Sequence, residues 1–209
     1  MNLCPFNNSC IKTVCDMSCA QRSEIEHWMN RCGIKLTNPS IQANRREINT
    51  AARVLDATQE AAKIRNSGFA NIGVLSTKNA QYMADLVAYV AICKYCQTNG
   101  FYNGVYKLNF SKYLEDIKSS WNNRSDSTSL EDVKNWINSA RFLIITNLGF
   151  VRFGDFESQT LLNIFQDRYD SDKFTIVVLE DSKYSLPGKS DSLFYNKLKN
   201  ELENRSVRL

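Results

Sequence analysis

The sequence predicts an α/β protein with a parallel sheet covered by helices on both faces, preceded by a small cysteine-rich module. Short apolar runs alternate with longer stretches of helical periodicity, which is the pattern of βαβ units. The run at 142–145 has no polar interruption, as in strands that are buried on both faces. Five cysteines within the first 32 residues set the N-terminal segment apart. The predicted parts are the module at 1–35, a linker helix at 36–66 and the α/β domain at 67–209.

The composition limits the classes of function. A chain of 209 residues, 43% of them hydrophobic, is long enough for one sizeable core. It has no apolar run of membrane-span length and no basic-apolar leader, so we expect a cytoplasmic protein without membrane contact. The single histidine, His27, argues against hydrolases built on Ser-His-Asp or Cys-His arrangements. A net charge of +4 permits nucleic-acid binding but does not by itself argue for it.

Four cysteines at the start of the module are candidate zinc ligands. In a reducing compartment such a cluster is more typical of a tetrahedral metal site than of disulfides, and zinc would supply folding free energy to a short polar segment. The spacing is not the paired CxxC of a zinc ribbon, so an iron–sulfur cluster and free or disulfide-paired thiols stay open as alternatives. The predicted ligands are Cys4, Cys10, Cys15 and Cys19, with His27 and Cys32 in reserve.

The elements of the α/β domain follow from periodicity and turn residues. Apolar residues at helical spacing predict a helix over 44–66 that ends before Ser67 and Gly68. An apolar run at 72–75, a polar turn and a long apolar helix that closes at Asn99 form half of a βαβ unit. The elements predicted after it are a strand at 104–110, a helix at 111–121, a loop at 122–129, a helix from Leu130 capped by Ser129, a strand at 142–146, a helix at 157–171, a strand at 174–179 and a last helix at 190–205.

The order of these elements, together with three stretches of sequence, carries a resemblance to a known family. The turn "STKNAQY" stands where a phosphate-binding loop belongs, "FLIITNLG" where that family has an apolar strand ending Asp-Asp-Leu-Gly, and "LLNIFQDRYDSDKFTIVVLED" contains an Arg-Tyr pair before the next strand. Along nearly its whole length the chain resembles replicative helicase loaders of the DnaC/DnaI type, AAA+ relatives of the IstB transposition ATPases. The resemblance implies an AAA+-like, P-loop NTPase-like fold.

When the sequence is aligned with that family, the residues that a phosphate-binding loop requires are missing. A P-loop needs glycines for close backbone approach to phosphate, a lysine against its charge and a Ser/Thr on magnesium. Here Asn79 is followed by Ala80 at the lysine position and Gln81 at the hydroxyl position. Lys78 lies two residues early, and a shifted loop that uses it is the alternative.

The second motif and the candidate arginine fingers are altered as well. Thr146 and Asn147 stand where acids would bind magnesium and polarise water. Loaders carry arginines that reach a neighbour's nucleotide, and Arg168 and Arg205 are the candidate remnants, although Arg168 is also placed to pair at its helix end. The resemblance therefore implies a pseudo-ATPase that is not an enzyme and does not use ATP or magnesium. Residual ATPase activity is the alternative.

The resemblance also implies a role in DNA replication. We expect an accessory protein whose module at 1–35 binds a replicative DNA helicase, either to load it or to regulate it, with an active helicase loader as a further candidate partner. The loss of motifs suggests a mobile element or a phage as its source.

The alternative, from a different class of function, is a module that binds single-stranded DNA. The stretch 101–124 interleaves aromatic and basic residues, as single-strand binders do when cations meet phosphates and aromatic rings stack on bases. An ordinary strand and helix with core aromatics would give the same pattern. The candidate contacts are Phe101, Tyr102, Lys107, Lys112, Lys118 and Arg124.

Overall fold

The computed structural model describes residues 26–27, 29–30, 45–64, 71–99, 104–122, 127–180, 188, 192–203 and 206–208. Helices and strands alternate along this part of the chain. In chain order they are α1 (Arg45–Ile64), β1 (Ile72–Thr77), α2 (Ala80–Asn99), β2 (Val105–Asn109), α3 (Phe110–Asn122), α4 (Ser127–Ser139), β3 (Phe142–Thr146), a 3-10 turn (Leu148–Phe150), α5 (Asp155–Asp170), β4 (Phe174–Glu180), α6 (Leu193–Glu203) and β5 (Ser206–Arg208).

The five described strands form one parallel sheet in the order β2-β3-β4-β1-β5. The central strands β3, β4 and β1 are apolar along almost their whole length, and their register places Val177 of β4 beside Ile145 on one side and Val74 on the other. Strands flanked by neighbours and covered on both faces bury both sets of side chains, which explains their continuous apolar runs.

Helices cover the two faces of the sheet unequally. On one face α1 and α2 pack over Leu75, Ile144 and Val178. On the other face α3 to α6 pack over Val74, Ile145 and the remaining inward side chains. Met29, at the end of the predicted module, is buried in the cluster of α1 and α2.

The close approach of α1 to β1 depends on a glycine. A Cβ built on Gly73 would lie 2.1 Å from Oγ1 of Thr58, which donates a 2.7 Å hydrogen bond to the carbonyl oxygen of Val54 within α1. A side chain at position 73 would therefore require either the Thr58 side chain or α1 to shift.

The predicted parallel α/β sheet is confirmed, with three local corrections. Helix α4 begins at Ser127, so Ser129 lies within the helix and does not cap it at Leu130. Strand β1 extends past residue 75 to Thr77, and β5 was not predicted at all. Among the described residues, no helix is long and apolar enough to cross a bilayer.

Candidate functional site

The candidate site is the carboxyl edge of the sheet, where β1 and β4 lie side by side. The next helices along the chain, α2 and α6, lie on opposite faces of the sheet. Where the helices that follow two adjacent strands lie on opposite faces, a crevice opens beyond the strand ends, and α/β proteins bind ligands there. The register pairs Thr77 of β1 with Glu180 of β4 at this edge.

The connection from β1 to α2 is a tight turn. The strand stays paired with β4 through Thr77, and α2 begins at Ala80, so only Lys78 and Asn79 separate them. A P-loop places a glycine, four variable residues and a second glycine before its lysine, and their backbone amides surround the phosphates. With Ala80 at the lysine position, most of those residues would be 74–77, which are here part of the sheet.

The amino end of α2 is capped by its own chain. Oδ1 of Asn79 accepts a 3.3 Å hydrogen bond from the backbone amide of Tyr82, the arrangement of an N-cap asparagine. Lys78 and Gln81 lie exposed on either side of it, and Ala80 is half-buried. The backbone amide of Tyr82, which could otherwise donate to a phosphate, thus donates to a neutral side chain.

A carboxylate lies close to the same helix end. The hydroxyl of Tyr82 donates a 3.0 Å hydrogen bond to Oε2 of Glu47, which reaches over from α1. Burial, then this hydrogen bond and the negative charge of Glu47, raise the pKa of Tyr82 above its ordinary value. Glu47 therefore places a negative charge near the first turn of α2, opposite in sign to the exposed Lys78 just before the helix.

The last residue of β3 and the residue after it are uncharged, and both make hydrogen bonds to the backbone. Thr146 is buried, and its Oγ1 donates a 3.3 Å hydrogen bond to the carbonyl oxygen of Leu108 in β2. Asn147 adopts the left-handed conformation with φ 64° and ψ 26°, which asparagine tolerates better than most residues, and its carbonyl accepts from Phe150 to close the 3-10 turn.

Asparagine recurs at the carboxyl ends of three strands. Besides Asn79 and Asn147, Asn109 at the end of β2 caps α3, because its Oδ1 accepts a 3.2 Å hydrogen bond from the amide of Lys112. This pattern was not predicted from the sequence, although an asparagine after an apolar run and directly before a helix is a recognisable capping signal.

Among the described residues at this edge, none supplies the groups with which a P-loop protein holds ATP and magnesium. The loop that would surround the phosphates is strand, Gln81 has no hydroxyl for the metal, and Thr146 and Asn147 have no carboxylate. Glu180, beside β1, adds negative charge that would repel a γ-phosphate. No step of nucleotide hydrolysis can be assigned to these side chains.

Arg168 is buried at the opposite, amino edge of the sheet. It is 1% exposed, and burial lowers its pKa to about 9, so it is still protonated at neutral pH. The guanidinium joins the end of α5 to α4 and to β4. This is the structural pairing at the helix end that the sequence offered as the alternative to an arginine finger. Its N–H donors point into this chain and not toward a neighbouring subunit. They bond to Oγ1 of Thr175 (2.9 Å) and to the carbonyl oxygens of Ile137 (2.6 Å), Ala140 (2.9 Å), Arg141 (3.3 Å) and Phe174 (2.5 Å). Arg205 lies outside the described residues.

The three DNA-binding candidates that lie in the described part of the chain do not form one row. Lys107 faces α2, where its Nζ pairs with Oδ1 of Asp85 at 2.5 Å and both side chains are largely buried. Lys112 is exposed near the start of α3, and Nζ of Lys118 pairs with Oε1 of Glu157 at 2.8 Å. The other three candidates, Phe101, Tyr102 and Arg124, lie outside the described residues.

An aromatic platform at the end of α3 was missed by sequence analysis. Trp121 is 65% exposed, and its ring meets that of Phe156 edge-on at 5.1 Å between centroids. Nζ of Lys118 lies 6.0 Å from the Phe156 centroid, within range of a cation–π contact. Burial alone would raise the pKa of Glu157, but hydrogen bonds from Lys118 and from backbone amides, including that of Gly154, bring it below its ordinary value.

The predicted zinc ligands Cys4, Cys10, Cys15, Cys19 and Cys32 lie outside the described residues. The reserve ligand His27 is exposed on a helical stretch. Within the described part of the chain, no group of three or more histidine, cysteine or acidic side chains is placed to hold a metal ion. Zinc binding stays a prediction.

Comparison with known proteins gives the class of fold. No protein-family model matches the sequence, and no curated protein sequence is significantly similar to it. The structure superposes on AMPPCP-bound DnaA from Aquifex aeolicus with a TM-score of 0.55 and 13% identity, over 83% of this chain and 50% of that one. Domain III of the replication initiation protein DnaA from Thermotoga maritima gives 0.54 and 12%, over 81% and 64%.

The particular fold is thus the AAA+-like α/β fold that the resemblance implied. The DnaC helicase loader also superposes, with a TM-score of 0.49 and 14% identity, over 82% of this chain and 93% of that one. The chain spans about half the length of the first DnaA chains that it matches.

Proposed function

We propose that this protein is a catalytically inactive, helicase-loader-like replication accessory protein that binds a replicative DNA helicase without hydrolysing ATP. One observation supports the proposed loss of catalysis: β1 is paired to Thr77 and α2 begins at Ala80, so in the register of the helicase-loader family most positions of the phosphate-binding loop lie within a strand. If only the lysine of a P-loop were replaced by alanine, the backbone of the loop would remain intact.

The replication role is supported by the sequence resemblance and by the fold. The order of elements and the stretches around Thr146 and Arg168 resemble helicase loaders of the DnaC/DnaI type. The fold is shared with DnaA, whose described structures are those of a replication initiator. Domain III of DnaA aligns over 81% of this chain, so the similarity covers most of the α/β domain.

In this proposal the two parts of the chain have separate tasks. The module at 1–35, with zinc as its structural metal, contacts the helicase. The α/β domain, in which Asn79 and Asn109 cap α2 and α3, does not respond to nucleotide in this proposal. The protein then loads the helicase without ATP or regulates an active loader that competes for the same helicase surface.

The direct test mixes the purified, zinc-replete chain with the replicative helicase of its source and follows the mass by light scattering, with and without ATP and magnesium. We expect one complex of the same stoichiometry and affinity in both conditions. A complex that requires ATP would contradict the loss of nucleotide control. Absence of any complex would contradict the helicase partnership.

Single-stranded DNA binding is a second candidate function, favoured by the platform of Trp121, Phe156 and Lys118. The exposed indole is held by an aromatic neighbour beside a cation, as in proteins that stack bases and track phosphates. Trp121→Ala should then weaken oligonucleotide binding by tenfold or more, whereas Trp136→Ala on α4 should not. Binding that is insensitive to salt, or equal for both variants, would contradict this role.

A further inference from the structure

Helix α2 is buried along most of its described length. Every residue from Met83 to Ile92 is buried, between α1 on one side and the sheet on the other. A helix that is apolar nearly all round buries a similar apolar area whichever of its sides faces the sheet. Burial of apolar surface therefore holds α2 in place, but it does not select one rotation of α2 about its own axis.

One charged side chain interrupts the apolar surface of α2. Asp85 is the only charged residue between Ala80 and Ile92, and it is buried. Its Oδ1 accepts a hydrogen bond from Nζ of Lys107 at 2.5 Å, and the side chain of Lys107 is only 11% exposed. Lys107 lies in the middle of β2, where it is paired with Ile144 of β3. The ion pair thus joins one position on α2 to one position on the sheet.

A buried ion pair contributes more to specificity than to stability in such a place. Removing two charges from water costs free energy, and apolar side chains of similar volume often stabilise a protein as well as the pair or better. A rotation of α2 about its axis, however, moves the carboxylate away from the ammonium. Each charge then lies in an apolar layer without the opposite charge, which is costly. The pair therefore disfavours the alternative rotations that apolar burial alone permits.

We propose that the ion pair of Asp85 and Lys107 fixes the rotation of α2 over the sheet, and with it the position of the turn between β1 and α2. Only Lys78 and Asn79 separate β1 from α2, so this turn follows any movement of the amino end of α2. The role needs neither helicase, DNA nor nucleotide. It therefore goes beyond the proposed function and does not depend on it.

The experiment compares the thermal unfolding midpoint with the NMR signals of the α2 backbone amides in the full chain. Asp85→Leu and Lys107→Met should each lower the midpoint by roughly 10 °C, because one buried charge then loses its opposite charge. The double variant should regain the wild-type midpoint, but its α2 signals should broaden or split, because several rotations then coexist. A double variant with one sharp set of α2 signals, or one as unstable as the single variants, overturns the proposal.

A charge-swapped variant decides the question where the apolar double variant does not fold. Asp85→Lys with Lys107→Asp keeps the attraction and should show one set of α2 signals, whereas several sets, or failure of both variants to fold, would overturn the proposal. The control, Lys118→Met with Glu157→Leu, removes a partly exposed ion pair on the other face of the sheet. Its α2 signals should match those of the wild type. Split α2 signals in the control would overturn the assignment to Asp85 and Lys107.

Discussion

The two edges of the sheet use polar residues in opposite ways. At the carboxyl edge, where related folds bind charged nucleotide, the chain places neutral asparagines that cap its own helices, Asn79 for α2 and Asn109 for α3. At the amino edge, where no ligand is expected, it buries the charged guanidinium of Arg168 and gives it five hydrogen bonds. The helix caps at the carboxyl edge are thus neutral, whereas the buried charge at the amino edge joins α4, α5 and β4.

The largest effect should come from the amino edge. Arg168→Ala leaves several buried carbonyl oxygens without donors, and we expect it to lower the free energy of unfolding by about 3 kcal/mol or more in chemical denaturation. Arg168→Lys should also destabilise the protein, because one ammonium cannot replace a planar fork of donors. As a control, Arg152→Ala, which removes an exposed arginine, should change stability by no more than about 0.5 kcal/mol. If Arg168→Ala and Arg152→Ala lowered the free energy of unfolding equally, the buried arginine would have no special role at the amino edge.

A somewhat smaller effect is expected where α1 packs on β1. Gly73→Ala would place a methyl group against Oγ1 of Thr58, and we expect a loss of about 1–3 kcal/mol by the same measurement. The double variant Gly73→Ala with Thr58→Ala should recover part of that loss, since the clashing oxygen is removed. No recovery would mean that the backbone at position 73 is responsible.

Substitutions at the carboxyl edge should lower stability through the loss of a helix cap and should not affect ATP binding or hydrolysis. Asn79→Ala should lower stability by about 1 kcal/mol, and Asn79→Gly by a few tenths. Neither variant should bind a fluorescent ATP analogue or hydrolyse ATP, and Lys78→Ala should leave both properties as they are in the wild type. ATP hydrolysis by the wild type that Lys78→Ala abolishes would show that a shifted loop operates and would break the comparison.

The smallest effect is a pH dependence near the aromatic platform. Because the folded state lowers the pKa of Glu157, its contribution to stability is complete above the unfolded value of about 4.3 and is lost as the pH falls through the folded value. The pair with Lys118 is partly exposed, so we expect less than about 1 kcal/mol. Glu157→Gln should remove this part of the acid dependence, and an unchanged profile would contradict the assignment.

Local patterns predicted most of the fold. The strand at 142–146 was predicted with its observed bounds, because an uninterrupted β-branched run between polar residues suits a strand covered on both faces. The errors lie where local signals are weak. Strand β5 has only three residues and pairs with β1, and α4 begins in the serine-rich stretch that reads equally well as a loop.

The sequence by itself determined the parallel α/β sheet, because the sheet follows from the identity and spacing of apolar residues along the chain. The tertiary structure alone decided the rest. Whether residues 74–77 form a loop or a strand depends on pairing with β4, about a hundred positions further on. The role of Arg168 depends on carbonyl oxygens from α4 and β4, because a buried cation is stabilised by whatever acceptors the fold places around it and not by its sequence neighbours.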